Sequence, residues 1–317
     1  MALRLLFVGI DVSKDRLDLW LDPLGRFEQA ANDAAGWAAV IALLRSLDAE
    51  TGLVVAFEAT GGYERGLRQA LLEAGFDVRM LNPLRVRLYA KSLGRNAKND
   101  RIDARVIARY VQAADTMPEI LDPARERLSE LVSHRRRLVD ERVAVGNQAA
   151  TLRQPALKAQ NAQRLALIAR QIEATEQLIR DAIGDVPSLA DKLDLLKTVK
   201  GVKDITAITL LALLPELGRV SRGAIAALAG LAPFDHDSGK LKGTRSIAGG
   251  RAPVRTVLYM AARAAALSKS PLGDFYKRLI AAGKTPKIAT VALMRKMLVT
   301  LNAILRDNTP WKHAISK

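Results

Sequence analysis

The sequence contains no cysteine, and only 4% of its residues are aromatic. The lack of cysteine excludes a disulfide framework and a zinc site built from thiolates. No uninterrupted apolar run reaches the roughly 18–20 residues that span a bilayer. The short apolar start meets Asp11 too early for a secretory signal. We therefore expect a cytoplasmic protein that has no membrane partner.

The charge is distributed unevenly along the 317 residues. Residues 1–120 hold 16 basic and 16 acidic side chains, whereas residues 121–317 hold 33 basic and 17 acidic ones and carry the whole net charge of +16. From Arg219 onward the balance is 18 basic against 4 acidic. A field of this kind attracts polyanions, which makes nucleic acid the predicted partner. The alternative is a charged surface that serves solubility.

The first 120 residues have the pattern of an α/β domain. Short apolar or alternating runs predict strands, and apolar residues at helical spacing predict helices. Asn32 or Asp33 can cap the first helix. The predicted strands are 4–10, 15–22, 26–31, 53–59 and 76–81, and the later helices are 63–74, 83–93 and 99–114. Three strands in a meander followed by alternating helix and strand is the order of a ribonuclease-H-like, or RuvC-like, sheet.

The remaining residues are predicted to be helical. Residues 122–185 show no strand pattern and read as two long helices separated near Gln154, in an antiparallel or intermolecular coiled coil. A lone helix of that length would expose an apolar stripe, so we expect a homo-oligomer, a dimer or a tetramer. The predicted fold class is α/β followed by all-α: a RuvC-like domain (1–120), a helical coiled-coil linker (121–188) and a helical domain (189–317).

Four carboxylates fall where a ribonuclease-H-like nuclease needs them. Asp11 ends the first strand and Glu58 ends the next long one, while Asp100 and Asp103 share one helix face through their spacing of three. Two Mg²⁺ ions about 3.5–4 Å apart require several shared hard oxygen ligands. The four acids are therefore the predicted catalytic and Mg²⁺-binding residues.

Each acid also has an ordinary interpretation when it is taken alone. Asp11 can be a strand-ending residue and Glu58 a surface residue, and a helix often begins with acids that pair with neighbouring arginines. Asp15, Asp18 and Glu64 are weaker candidates, which we expect at the surface.

Four segments carry a resemblance to a known family: GIDVSK, FEATGGYERGL, the NP of LNPLR, and KNDRIDARVIARY. They resemble the DEDD, RuvC-like half of the insertion-sequence transposases of family one hundred and ten. The similarity to this family runs over nearly the whole chain. The resemblance implies a bacterial, nucleoid-associated DNA recombinase that excises and inserts a mobile element by strand exchange. Its partners would be donor and target DNA and a guide (bridge) RNA.

A possible helix–hairpin–helix lies in the segment LLKTVKGVKDITAITLLALLPEL. Lys200 and Gly201 would form the tight hairpin, where a glycine lets backbone amides approach a phosphate, and Lys203 follows. A plain turn between two helices is the alternative.

A Gly- and Lys-rich loop follows the helix that ends near Gly230. Such a loop can wrap phosphates with backbone N–H groups and cations together. The predicted nucleic-acid contacts here are Lys240, Lys242, Arg245, Arg251 and Arg255.

The resemblance implies that Ser238, in the step Asp-Ser-Gly of this loop, is the nucleophile that joins the DNA. The residues themselves give a partial case, because a serine hydroxyl needs a base or a metal to take its proton. No histidine pattern supplies a base, whereas the acids and metals of the first half could if the two domains meet. Ser238 as a turn residue is the alternative, and Ser246 is the next candidate nucleophile.

Two rival functions fit the same residues. One is a Holliday-junction nuclease of the RuvC type, which hydrolyses DNA with the four acids alone. The other is a non-catalytic nucleic-acid scaffold whose acids are structural.

Overall fold

The computed structural model describes residues 5–48, 52–94, 100–234 and 246–311, without the side chains of Asp48, residues 100–102 and Phe234. The chain divides into two compact units, residues 1–121 and 122–317.

The described part of the first unit is a five-stranded sheet with four helices. Its elements are β1 (Leu6–Val12), β2 (Arg16–Asp22), β3 (Arg26–Ala31), α1 (Ala34–Asp48), β4 (Leu53–Glu58), α2 (Arg65–Glu73), β5 (Asp77–Leu81), α3 (Pro83–Ser92) and α4 (Asp100–Ala113). The strand order is β3-β2-β1-β4-β5. Strands β1 to β3 pair antiparallel, and β1, β4 and β5 pair parallel. The predicted α/β half is confirmed.

Helices cover both faces of this sheet, which explains why β1 and β4 are continuous apolar runs. Helices α1 and α2 pack on the face that carries Ile10 and Phe57, both fully buried. Helices α3 and α4 pack on the opposite face, against Val54 and Ala56. The side chain of Asp33 caps α1 by accepting a hydrogen bond from the Gly36 backbone N–H at 2.8 Å, as the sequence predicts.

In the residues that the structure describes, the second unit is helical, as predicted, apart from two very short strands. Its elements are α5 (Pro123–Ala149), α6 (Pro155–Gly184), α7 (Pro187–Lys197), α8 (Asp204–Leu213), α9 (Arg222–Leu228), β6 (Pro233–Phe234), β7 (Ser246–Ile247), α10 (Ala252–Ala266), α11 (Pro271–Ala281) and α12 (Pro286–Asp307).

Helices α5 and α6 form an antiparallel hairpin. The pairing of Arg135 with Glu176 at 2.6 Å and of Glu141 with Arg164 at 2.9 Å sets their direction. The apolar stripes that would otherwise be exposed are buried between the two helices. Burial of the stripes therefore does not require a second copy of the chain, and the predicted oligomer needs other support.

The base of this hairpin is part of the main core of the second unit. Leu128, Val132, Ile179 and Ile183 join the cluster formed by α7 to α12. The distal part has a separate small core, which consists of Leu138, Val145, Ile168 and Ile172. The predicted linker 121–188 therefore shares a compact unit with the later helices.

Of the described helices, α12 alone is long and apolar enough to cross a membrane, and half of its most apolar stretch is buried. Leu293, Met297 and Leu301 of α12 are fully buried in the core of the second unit. Packing within the unit accounts for the apolar character of this helix.

Candidate acidic site and basic regions

The ends of β1 and β4 bring Asp11 and Glu58 together. In the parallel register, Ile10 lies beside Phe57, and one further step sets Asp11 beside Glu58. Neighbouring strands are about 4.8 Å apart, and side chains at paired positions point to the same face. Both carboxylates therefore project from the face that α4 covers.

A glycine allows α4 to lie directly on this face. A methyl group at Gly9 would collide with the backbone of Ala104 and Ala108, both of which are fully buried. Helix α4 thus contacts β1 two residues before Asp11, and Asp103 precedes Ala104. Gly9 was not singled out in the sequence, although a glycine inside a buried strand often marks such a close backbone approach.

The negative charges of Asp11 and Asp103 act on the carboxyl group of Glu58. Burial, together with the charges of Asp11 and Asp103, raises the pKa of Glu58 to about 7, and the charge of Arg87 opposes this rise. The three predicted acids are therefore close enough for like-charge repulsion to favour the protonated form. Arg87, an exposed residue of α3, had no motif that would have identified it beside the site.

The fourth acid is only partly described. Asp100 is the first residue of α4, and its side chain lies outside the described residues. Among the described side chains, no group of three acidic or histidine residues is already arranged as a metal-ligand set. The donors do fit a hard divalent cation in kind, since a cation would offset the repulsion that raises the pKa of Glu58.

Asp18 also faces this site. It lies opposite Asp11 in the antiparallel register of β1 and β2, and it is only 1% exposed. Its carboxylate accepts hydrogen bonds from Arg16 Nε at 3.0 Å and from Gln29 Nε2 at 2.6 Å. The expected surface position of Asp18 is wrong, because these partners compensate its burial.

Glu64 is likewise buried, at 7% exposure, rather than at the surface as expected. Its carboxylate accepts hydrogen bonds from the backbone N–H groups of Thr60 and Gly62 and from the Thr60 hydroxyl, at 2.7–3.1 Å. Burial opposes its charge, but these hydrogen bonds hold the pKa of Glu64 below its usual value. Glu64 thereby fixes the loop that directly follows Glu58.

A short turn joins α7 to α8 at the position of the predicted hairpin, and Lys200 and Lys203 in this turn are exposed. Gly201 has a φ of +94°. A side chain there would collide with the backbone of Ala261 on α10. The glycine therefore serves helix packing within the unit, and the two lysines lie at the surface. The approach of this backbone to a phosphate stays a prediction.

The serine loop is described only at its ends. Ser238, Lys240, Lys242 and Arg245 lie outside the described residues. Before and after them, β6 and β7 pair antiparallel, with Phe234 opposite Ser246. Ser246 is exposed.

Two predicted nucleic-acid contacts have intramolecular partners. Arg251 donates two hydrogen bonds to Glu216, at 2.6 and 2.7 Å. Burial opposes the charge of Glu216, yet Arg251 holds the pKa of that carboxyl below its usual value. Arg255 donates to the carbonyl groups of Ala229 and Gly249. Arg255 thus connects the residues before the loop to those after it, and Arg251 connects the end of the loop to Glu216.

The chain is similar to known transposases and to pilin gene-inverting proteins. A transposase model of the DEDD, IS110 type matches residues 8–154, and the model of the transposase IS116/IS110/IS902 family matches residues 193–277. The pilin gene-inverting proteins of Moraxella lacunata and Moraxella bovis are each 29% identical to this chain over 327 residues, which cover 98% of both partners.

Proposed function

Because this chain belongs to the IS116/IS110/IS902 transposase family and is a DNA transposase or recombinase, we propose that it excises and inserts a mobile element by strand exchange at the acidic site of the first unit. The observation that carries this proposal is the convergence of Asp11, Glu58 and Asp103 at one sheet edge under α4. Asp100, on the same helix, is the proposed fourth member.

The first unit is proposed to have a ribonuclease-H-like, RuvC-like fold. The strand order β3-β2-β1-β4-β5, with three antiparallel and then parallel strands, supports this assignment. The position of the acids at the ends of neighbouring strands also supports it, since functional groups in α/β sheets gather there.

Asp11, Glu58, Asp100 and Asp103 would hold divalent cations, for which we propose Mg²⁺. When bound, the cations would neutralise charge at a scissile phosphate and lower the pKa of a bound oxygen nucleophile. The chain itself supplies the hard oxygen donors. Glu64 holds the backbone of the loop after Glu58, and Asp18 accepts hydrogen bonds from side chains of β2 and β3.

Ser238 is the proposed nucleophile for strand joining. Its hydroxyl oxygen would attack the phosphorus of a DNA phosphodiester, lose its proton to a base and release a deoxyribose hydroxyl as the leaving group. Attack of a second deoxyribose hydroxyl on the phosphoserine ester would form the new DNA linkage and restore the serine. The hydrogen bonds of Arg251 to Glu216 and of Arg255 to Ala229 support a defined position for the ends of the loop.

A structured guide RNA and a homo-oligomer complete the proposal. Strand exchange requires more than one strand to be cut, which a dimer or tetramer would provide. Three leucines of α6 are 45–47% exposed on the hairpin surface and offer an apolar contact for a second copy: Leu157, Leu167 and Leu178. The basic second unit provides the charge that an RNA guide and DNA both need.

The test is denaturing electrophoresis of the full protein with labelled recombination substrate and guide RNA. Ser238→Ala should abolish the covalent protein–DNA adduct and retain DNA binding, whereas Asp11→Asn should abolish strand cleavage. Asp15→Asn is the matched control, because Asp15 is exposed in the turn after β1 and should keep full activity. An adduct that persists in Ser238→Ala, with Ser246 then next to test, would contradict the serine assignment. Full activity in Asp11→Asn would contradict the acidic site.

A further inference from the structure

A basic cleft lies between the start of α11 and the middle of α12, in the second unit. Its volume is about 650 Å³, within the range of ligand-binding clefts. The lining includes four cations, one aromatic ring and one acid: Lys269, Lys277, Arg278, Lys296, Phe275 and Asp274.

The cations of the cleft are largely uncompensated. Asp274 lies 3.8 Å from Lys277, and both side chains are mostly exposed, so this pair is weak. Within the described residues, Lys269, Arg278 and Lys296 make no ion pair, and all three are exposed. The cleft therefore carries four cations against the single carboxylate of Asp274, a net positive charge that attracts polyanions.

An aromatic ring holds two of these cations near each other. Arg278 lies 5.4 Å and Lys296 4.5 Å from the centre of the Phe275 ring. Attraction to the ring offsets part of the repulsion between the two charges. Phe275 itself packs against the main core, which fixes the ring.

The segment that carries Lys269 is also fixed by hydrogen bonds. Ser270 is 5% exposed and caps α11 by accepting a hydrogen bond from the Gly273 backbone N–H. Its hydroxyl lies 2.8 Å from that of Ser268, which in turn donates to the Ala265 carbonyl. Lys269 therefore extends into solvent from a backbone whose position is set on both sides.

We propose that this basic cleft binds the phosphate backbone of a DNA substrate, an inference that rests on the proposed function for the partner it names. Ammonium and guanidinium groups without carboxylate partners are the usual ligands of phosphodiesters. The cleft is open and collects cations from three segments, a geometry that suits a continuous backbone. Its lining residues come from the end of α10 onward, and the described ends of the serine loop are not among them.

The experiment compares two charge-matched triple variants of the full chain. The cleft variant is Lys269→Gln, Arg278→Gln and Lys296→Gln. The control variant, Lys158→Gln, Arg170→Gln and Lys192→Gln, removes the same charge from exposed positions on α6 and α7. Affinity for a short duplex DNA is measured between about 50 and 200 mM salt. The cleft variant should lose about 0.9 in salt slope for each lost phosphate contact, and the control should keep the wild-type slope.

A further variant and an RNA arm make the outcome decisive. Phe275→Leu keeps every charge but removes the ring, and it should weaken DNA binding less than the triple cleft variant does. Equal slopes for the cleft and control variants, or a loss confined to an RNA hairpin of the same length, would overturn the proposal. Because the readout is binding, it stays valid even if Ser238→Ala and Asp11→Asn fail their own test.

Discussion

Gly9 of β1 lies against the backbone of Ala104 on α4, with no space for even a methyl group between them. This contact sets the distance between the strand that carries Asp11 and the helix that carries Asp103. The geometry of the acidic site therefore depends on Gly9, a residue that has no side chain and takes no part in the chemistry.

The first prediction concerns this contact. Gly9→Ala should lower the free energy of unfolding by about 2 kcal/mol or more, because α4 must move away from β1. Gly146→Ala in α5 is the control, since its new methyl group would meet no other atom within 4 Å and should stabilise its helix by roughly 0.5–1 kcal/mol. Urea unfolding measures both variants. If Gly9→Ala had the same free energy of unfolding as wild type, α4 would not pack directly on Gly9.

The second prediction concerns the raised pKa of Glu58. In the unfolded chain a glutamate titrates near about 4.3, whereas Glu58 in the folded protein titrates at about 7. The folded state therefore holds this proton more tightly, and a penalty to stability develops as the pH rises through that interval. Without divalent cations, Glu58→Gln should be more stable than wild type above about pH 7 by on the order of 1–3 kcal/mol, and no more stable near about pH 4.

Thermal unfolding with and without Mg²⁺ checks this prediction. Added Mg²⁺ should stabilise wild type more than Glu58→Gln, because the cation offsets repulsion that the variant lacks. Glu73→Gln is the control, since Glu73 is exposed at the end of α2. A stability difference that did not change with pH would contradict the crowding of Glu58 by Asp11 and Asp103.

The third prediction concerns Glu64. Its lowered pKa means that its stabilisation is complete above the unfolded value of about 4.3 and disappears as the pH falls through the lower folded value. Glu64→Gln should lose about 1–3 kcal/mol at neutral pH and approach wild type in acid. It should also slow strand cleavage, because the loop after Glu58 is less firmly held. Unchanged stability at neutral pH would show that the loop does not need the charge.

The fourth prediction compares the effect on stability of removing Arg251 with that of removing the exposed residue Lys200. Arg251→Ala should lower the free energy of unfolding by about 1–3 kcal/mol, because Glu216 loses a two-point partner in a partly buried position. Lys200→Ala should change stability by less than about 0.5 kcal/mol but weaken DNA binding. Measuring unfolding and DNA affinity for both variants gives the comparison. If Arg251→Ala changed only affinity, its contact with Glu216 would be dispensable.

The fifth prediction uses two neighbouring residues of α6. Ile179 is 3% exposed within the core and Leu178 is 47% exposed. Ile179→Ala should cost about 2–5 kcal/mol, whereas Leu178→Ala should leave the stability of the monomer nearly unchanged. If α6 provides a contact between copies, Leu178→Ala should shift the mass measured by light scattering toward the monomer. An unchanged mass would exclude Leu178 from any such contact.

The sequence was most informative where a local pattern decides the structure. The strand ends that carry Asp11 and Glu58, and the helix that carries Asp103, follow from apolar periodicity and were predicted with bounds close to those observed. Caps such as Asp33 were also predictable, since they act within one turn of chain.

The burial of Asp18 and Glu64 could not be predicted in the same way. Their partners are set by the strand register and by the course of a loop, and neither is visible in a run of residues. Similarly, the sequence does not reveal that Arg251 contacts Glu216 or that Arg255 contacts Ala229. The role of both arginines as phosphate ligands stays a prediction. Whether a charged side chain meets water or a partner is decided by tertiary packing.

The separate small core of the α5–α6 hairpin has a mechanical consequence. With about 1.5 Å per residue, α5 extends for about 40 Å, and only its base is joined to the main core. The distal part is thus an arm whose reach is independent of the body that carries it. Matched deletions of about seven residues in each helix would shorten the arm by about 10 Å and preserve the facing stripes. Evolution can therefore alter how far this arm extends without rebuilding the rest of the unit.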